Sequence, residues 1–312
     1  MRFWIKLALW AVVWMVRPTF GETDSFSPFR FESRHMGVDV VIRLYAADRV
    51  SAEAASKGAF ARIEKINRLL SDYLSTSEVR RLSAGSGDSE FVPISEELFS
   101  VLVFSKNVHE QSGGAFDPTV GPYVLAWRQA RFVKSLPRPE KLARMRASVG
   151  MDKVELEGQT LRLTASGMRL DFGACAKGYA VDEALSFMRR KGIHRAFVDA
   201  GGDLAIGKAP PGKKGWKVAI ENAGEVLELA DCGVATSGDA YQFVEIDGTR
   251  FSHILDPRTG IGVTHRSQLT VIAASAMKAD GWASALSVVG PGREADTLGS
   301  RHDLEVYWLD GK

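Results

Sequence analysis

Residues 193–202 read IHRAFVDAGG. They follow a basic tract, Arg189-Arg190-Lys191, and Gly192, the residues that close a helix beginning near Lys177. The spacing predicts a strand over 193–198 that enters a turn at Gly201-Gly202. Further strand candidates follow at 216–221, 243–246, 250–254 and 269–273, and no helical periodicity separates them. The next helix runs over 278–289 and is closed by Gly290-Pro291, and a last strand covers 305–309. Strands that succeed one another without intervening helices do not build a doubly wound sheet. They predict an α+β fold with mainly antiparallel sheets and packed helices.

Upstream, Val38, Val40, Ile42 and Leu44 alternate with Asp39, Val41, Arg43 and Tyr45, the period of a half-buried strand. Ala59, Ile63, Ile66, Leu70 and Tyr73 recur at three and four, one apolar stripe of a long helix. Residues 83–89 (SAGSGDS) read as a flexible connection, and a second helix follows Pro93 with Leu98, Val101, Leu102 and Phe104 inward. The basic stretch 128–146, with Pro137 and Pro139, reads as a surface excursion, and 154–163 as a strand pair turning at Gly158-Gln159. No Pro/Ser-rich linker divides the chain, which predicts one functional domain over 22–312.

The chain has 312 residues, 40 basic against 38 acidic, for a net charge of +2. Overall charge supplies no field for nucleic acid. At the N-terminus, Arg2 and Lys6 precede an apolar run over 7–16, broken by Arg17-Pro18, with Gly21-Glu22 a plausible cut. Positive start, short apolar stretch and polar region read as a secretory signal over 1–21, the alternative being an uncleaved anchor. The expected location is therefore the periplasm. Cys175 and Cys232 could pair in an exported protein, but read better as two free thiols.

Four clusters hold more glycine and short polar residues than a core requires. The first, 113–122 (GGAFDPTVGP), allows close backbone approach and holds Asp117 extended before Pro118. In the second, 170–180 (LDFGACAKGYA), a strand end turns into a helix start suited to phosphate, with Lys177 adding charge. The third joins 235–239 (ATSGD) to 251–260 (FSHILDPRTG), with His253 on a strand that runs into an Asp-Pro turn. The fourth, 279–285 (ADGWASA), sets Asp280 and Ser284 on one helical face, where a carboxylate and a hydroxyl can hold a hard cation such as magnesium. Each has a plain structural alternative: a turn, a solvent-facing lysine, a structural histidine, an aspartate complementing its own helix start.

In this order the clusters resemble the ApbE family of FAD:protein FMN transferases. Met36-Gly37, Ser71-Asp72-Tyr73, Ser77-Glu78 and Gly201-Gly202-Asp203 belong to the same resemblance. The resemblance implies that Met36 and Tyr73 line the flavin or adenine pocket, and that Ala115, Phe116 and Asp117 border the adenosine. It implies that Asp171 and Lys177 hold FAD, that His253 and Ile254 lie along the flavin, and that Ala283 touches it through backbone. Magnesium would be bound by the Ala174 carbonyl with Asp280 and Ser284. The implied reaction moves FMN from FAD to a threonine or serine of an exported or membrane-bound redox protein and releases AMP, with His253 or Asp280 as the base. A protein that binds FAD without transferring it, or an FAD pyrophosphatase, would carry the same pocket. The chain departs from the family at Gly173-Ala174-Cys175, where Gly-Gly-Ile is frequent, at Ser284 for threonine, and at Ser83 for asparagine.

Overall fold

The structure is a computed structural model and describes residues 26–308, apart from 89, 221–223, 239–241 and 267. The secretory stretch 1–21 and Asp239 of the third cluster lie outside the described residues.

One seven-stranded sheet organises the chain. Its strands are β1 (Ser27–His35), β2 (Val38–Ala46), β3 (Ala196–Ala200), β4 (Asp203–Ile206), β5 (Cys232–Gly238), β6 (Gln268–Ala273) and β7 (Glu305–Trp308). They lie side by side in chain order, and every neighbouring pair is antiparallel. The principal helices are α1 (Arg49–Leu70), α2 (Glu96–Gln111), α3 (Gly121–Val133), α4 (Ala176–Arg190) and α5 (Ala276–Val289). The α+β, antiparallel expectation is met.

The period of two decides what each strand buries. Val40, Ile42 and Leu44, with Ala196 and Val198 and with Leu269 and Val271, face the helices in the main core. Phe197, Leu204, Val234 and Ile272 face the other way, against Trp216, Val218 and Ile220 of a hairpin that covers the second face. The sheet is thus buried on both sides, with α4 and α5 laid across one of them.

Several expectations need correction. The strand expected at 193–198 spans Ala196–Ala200, and Gly201 (φ 64°) and Gly202 (φ 98°) form its turn into β4. Residues 235–238 of the third cluster belong to β5 in mid-sheet. A Cβ on Gly233 would lie 2.0 Å from the backbone nitrogen of Ala276. The start of α5 rests on this strand, so small residues replace the usual strand signature. The basic excursion is largely helical. Tyr123, Ala126, Trp127 and Ala130 form a buried stripe on α3, which Pro122 starts, and a second helix spans Pro139–Arg146 with no buried residue. Ser83 does not open a flexible connection. It lies in a helix, Glu78–Ala84, and its buried hydroxyl donates to Val79 O at 2.7 Å and accepts from Leu170 N at 3.1 Å. His253 lies in a bend after the strand Thr249–Ser252 and not on a strand.

Both thiols are free. Burial pushes Cys175 well above the ordinary thiol value and Cys232 to about 11. Among the described residues no helix is long and apolar enough to cross a membrane.

Candidate functional site

The site is built where α4 and α5 cross. The chain enters from Leu170, which is fully buried. Asp171 N donates to Pro118 O at 2.8 Å, and Gly121 N to Arg169 O at 3.1 Å, so the first and second clusters are joined through backbone. Asp171 Oδ1 accepts from Gly173 N at 2.9 Å and tightens the turn before α4. Cys175 sits at the N-cap without a capping side chain.

The cap comes from the neighbouring helix. Gly178 N donates to Asp280 Oδ2 at 3.1 Å. In return, both carboxylate oxygens of Asp182 on α4 accept from the first amides of α5, Ala276 N at 2.9 Å and Met277 N at 2.8 Å. Each helix therefore caps the other. This closeness needs glycine at 178, because a Cβ there would lie 2.4 Å from Ala276 O. Asp280 does not complement its own helix start; Ser275 does that, accepting from Lys278 N at 3.2 Å.

The exchange brings a carboxylate of α5 to the first turn of α4, and a hydroxyl one turn further on to the loop that precedes it. Ser284, one turn after Asp280, points its hydroxyl at Ala174 O, 3.5 Å away. A carbonyl, a hydroxyl and a carboxylate are hard donors of the kind magnesium takes. Asp280 is nearly buried, and burial pushes its carboxyl above the ordinary value, while Lys177 and the Gly178 N–H hold it down. Lys177 is ion-paired with the buried Asp203, the first residue of β4. Among the described residues no group of three His, Cys, Asp or Glu side chains could hold a metal, so a cation here would rest on mixed oxygen donors.

Beside the α4 start lies a second charged group. Arg128 donates to Asp72 Oδ2 at 3.0 Å, stands 3.7 Å from Asp171 Oδ2, and stacks 4.5 Å from the ring of Tyr73, which is 77% exposed. Arg169 donates to Asp72 O at 2.7 Å. Burial first, then the charge of Asp72, raises the Asp171 carboxyl above its ordinary value, opposed by both arginines. Tyr73 and Asp171 are legible in the sequence as site residues; Arg128 and Arg169 are not.

The remaining expected residues sit as follows. Asp117 is occupied with its own loop: Oδ1 accepts from Thr119 N at 2.7 Å and Thr119 Oγ1 at 2.6 Å, and Oδ2 lies 3.6 Å from His109 Nδ1. Ala115 is buried with Val263 and Val288, a cluster that Ile254 joins, and Phe116 packs edge-on against Phe104. Ala283, fully buried between Asp280 and Ser284, offers only backbone. Met36 takes φ 51° in the β1–β2 turn and packs half-buried on the main core. His253 directs Nδ1 and its backbone N at Gln242 O, 3.1 and 2.9 Å away.

The mutual capping has a measurable pH signature. Burial pushes the Asp182 carboxyl up to about 6 in spite of its two N–H donors. A carboxyl whose folded pKa exceeds its unfolded value contributes most when protonated. That contribution is full below about 4 and is lost as pH rises through about 6. Asp182→Asn stays neutral, so between about pH 4 and about pH 7.5 it should gain on wild type by about 2 kcal/mol. Urea unfolding of both proteins at both pH values measures this, and an unchanged gap would refute it.

Comparison with known proteins places the chain. The model of the ApbE family matches residues 36–308. A FAD:protein FMN transferase of Klebsiella pneumoniae strain 342 is 30% identical over 292 residues, 89% of this chain and 83% of that protein. One from Escherichia coli K12 is 31% identical over 261 residues, covering 78% and 73%. The apo crystal structure of Pseudomonas stutzeri flavinyl transferase ApbE superposes with a TM-score of 0.83 at 29% identity, over 92% of each chain. The flavin transferase ApbE of Vibrio cholerae does so with 0.79 at 27% identity, over 91% of this chain and 93% of that one.

Proposed function

Because the chain belongs to the ApbE family of flavin transferases, we propose that it moves FMN from FAD to a threonine or serine hydroxyl of an acceptor redox protein. The supporting observation is the meeting of the Ala174 carbonyl, the Ser284 hydroxyl and the Asp280 carboxylate at the start of α4. These three residues would hold magnesium, which when bound neutralises diphosphate charge and steadies the AMP leaving group.

The protein's own groups supply the rest. Transfer of this kind depends on positioning and charge more than on covalent catalysis. The acceptor oxygen forms a bond to the phosphorus of the FMN half, the bond from that phosphorus to the bridging oxygen breaks, and AMP departs with that oxygen. Lys177, ion-paired with Asp203, would share the phosphate charge. Tyr73, with Arg128 stacked on it, offers an exposed ring to a dinucleotide. Asp280 is poorly suited as the base, because one oxygen already accepts the Gly178 N–H and the other is required by the cation. His253 is the other candidate for the base, with its Nδ1 donating to the Gln242 carbonyl.

The leader at 1–21 supports export, with residues 22–312 acting as one catalytic unit in the periplasm. One preparation tests both parts. Protein recovered from the periplasmic fraction, incubated with FAD, magnesium and a candidate flavin-carrying redox subunit, should release AMP and add one FMN mass to a threonine or serine. Absence from that fraction would remove the export reading; AMP release without any labelled acceptor would remove the transferase reading.

A further inference from the structure

Residues 128–146 hold seven lysines and arginines and one acid, Glu140, so the stretch carries +6. The whole chain carries +2, so everything else sums to −4. Positive charge is therefore concentrated on α3 and the helix Pro139–Arg146, which buries no residue. Beside it lies a cleft of about 520 Å³, with Arg131, Phe132 and Lys134 on one wall and Phe243 and Glu245 on the other. Arg128 lines the same cleft and, at its other edge, meets Tyr73 and Asp171 of the flavin site. The cleft is thus continuous with the place where the transfer would occur.

We propose that this cleft seats the acceptor protein, through an extended segment with acidic and apolar side chains flanking the target hydroxyl. The inference rests on the transferase reading above. Three observations carry it. Arg128 is neutralised by Asp72, whereas Arg131 and Lys134 make no ion pair among the described residues. Their charge is free for a partner, and opposite charge sets encounter rate and register more than raw affinity. Phe132 is 88% exposed and Phe243 is 45% exposed, two aromatic anchors at the centre of a basic rim. Glu245 opposes acid at one wall only, which favours a segment lying toward α3. A flat anionic membrane would also meet the basic residues, but it would leave the concave space and its link to Arg128 without a role.

The test uses the full chain and an acceptor domain that the wild type labels. Arg131→Glu combined with Lys134→Glu should raise the KM for acceptor at least about tenfold, leaving kcat at saturating acceptor and FAD affinity within about twofold. Wild-type KM should rise between about 50 and about 300 mM salt, and the variant's should not. Phe132→Ser, with charge intact, should raise the same KM without altering its salt dependence. A double variant whose acceptor KM stays within about twofold of wild type overturns the proposal. So does wild-type binding to phosphatidylglycerol vesicles, lost in the variant, with acceptor KM unchanged, since the strip is then a membrane contact. A wild-type chain that labels no acceptor fails at the earlier step, and this proposal falls with it.

Discussion

Asp280→Ala is expected to reduce FMN transfer by about a thousandfold or more, because it removes the only carboxylate of the three-oxygen set at the α4 start. Alanine also leaves Gly178 N–H without its acceptor, so Asp280→Asn is the sharper variant. Its amide oxygen can still accept that N–H, but the charge is gone. Burial holds the native carboxyl above its ordinary pKa, so the ionised form is costly when no cation is near. In chelator, the asparagine variant should melt at the wild-type temperature or above it. In magnesium, wild type should gain stability, about 2.7 kcal/mol at a hundred times the dissociation constant, and the variant should gain nothing. Differential scanning calorimetry with and without magnesium, beside an AMP-release assay, decides the matter. A variant that transfers FMN within about tenfold of wild type would sink the assignment.

Gly233→Val should be the most damaging single change to the fold. A Cβ at 233 would meet Ala276 N at 2.0 Å, Ser275 C at 2.1 Å and Ala276 Cα at 2.4 Å, all main-chain atoms with no rotamer to give way. The α5 start must lift off β5 or the strand must buckle, which costs at least about 3 kcal/mol, the upper end of overpacking penalties. Asp280 and Ser284 ride on the same helix, so transfer should vanish with stability. Gly299→Ala is the control. It lies in the helix Arg293–Arg301, and its nearest neighbour would be Val306 Cγ2 at an ordinary 3.4 Å. That change should be neutral or stabilising by up to about 1 kcal/mol. Equal melting temperatures for Gly233→Val and wild type would show that the crossing tolerates a side chain.

The contrast between these two glycines explains what could be read from the residues alone. β2 was legible because Val40, Ile42 and Leu44 alternate with outward residues on a strand buried on one face. β5 was not, because tight contact with α5 selects small residues and erases the alternation. Asp280 and Ser284 were legible as a pair because helical spacing puts them on one face, and the turn before α4 because glycine and short polar residues gather there. That Asp280 caps α4 while Asp182 caps α5 was not, since the exchange depends on how two helices cross. Arg128 and Arg169 escaped for a similar reason. Their shared partner, Asp72, is 56 and 97 residues away, and only the assembled loops show that basic residues in an apparent surface stretch serve the site.

The contacts that complete the cation set join positions 102 and 110 residues apart. No fragment lacking the last third of the chain contains the set, so the dinucleotide has nothing to grip until synthesis and collapse are nearly finished. Contacts of such separation form late, after the loops between them have closed. On the export reading proposed above, the polypeptide would cross the membrane unfolded and without its substrate, so FAD would have to be present on the far side for the first turnover.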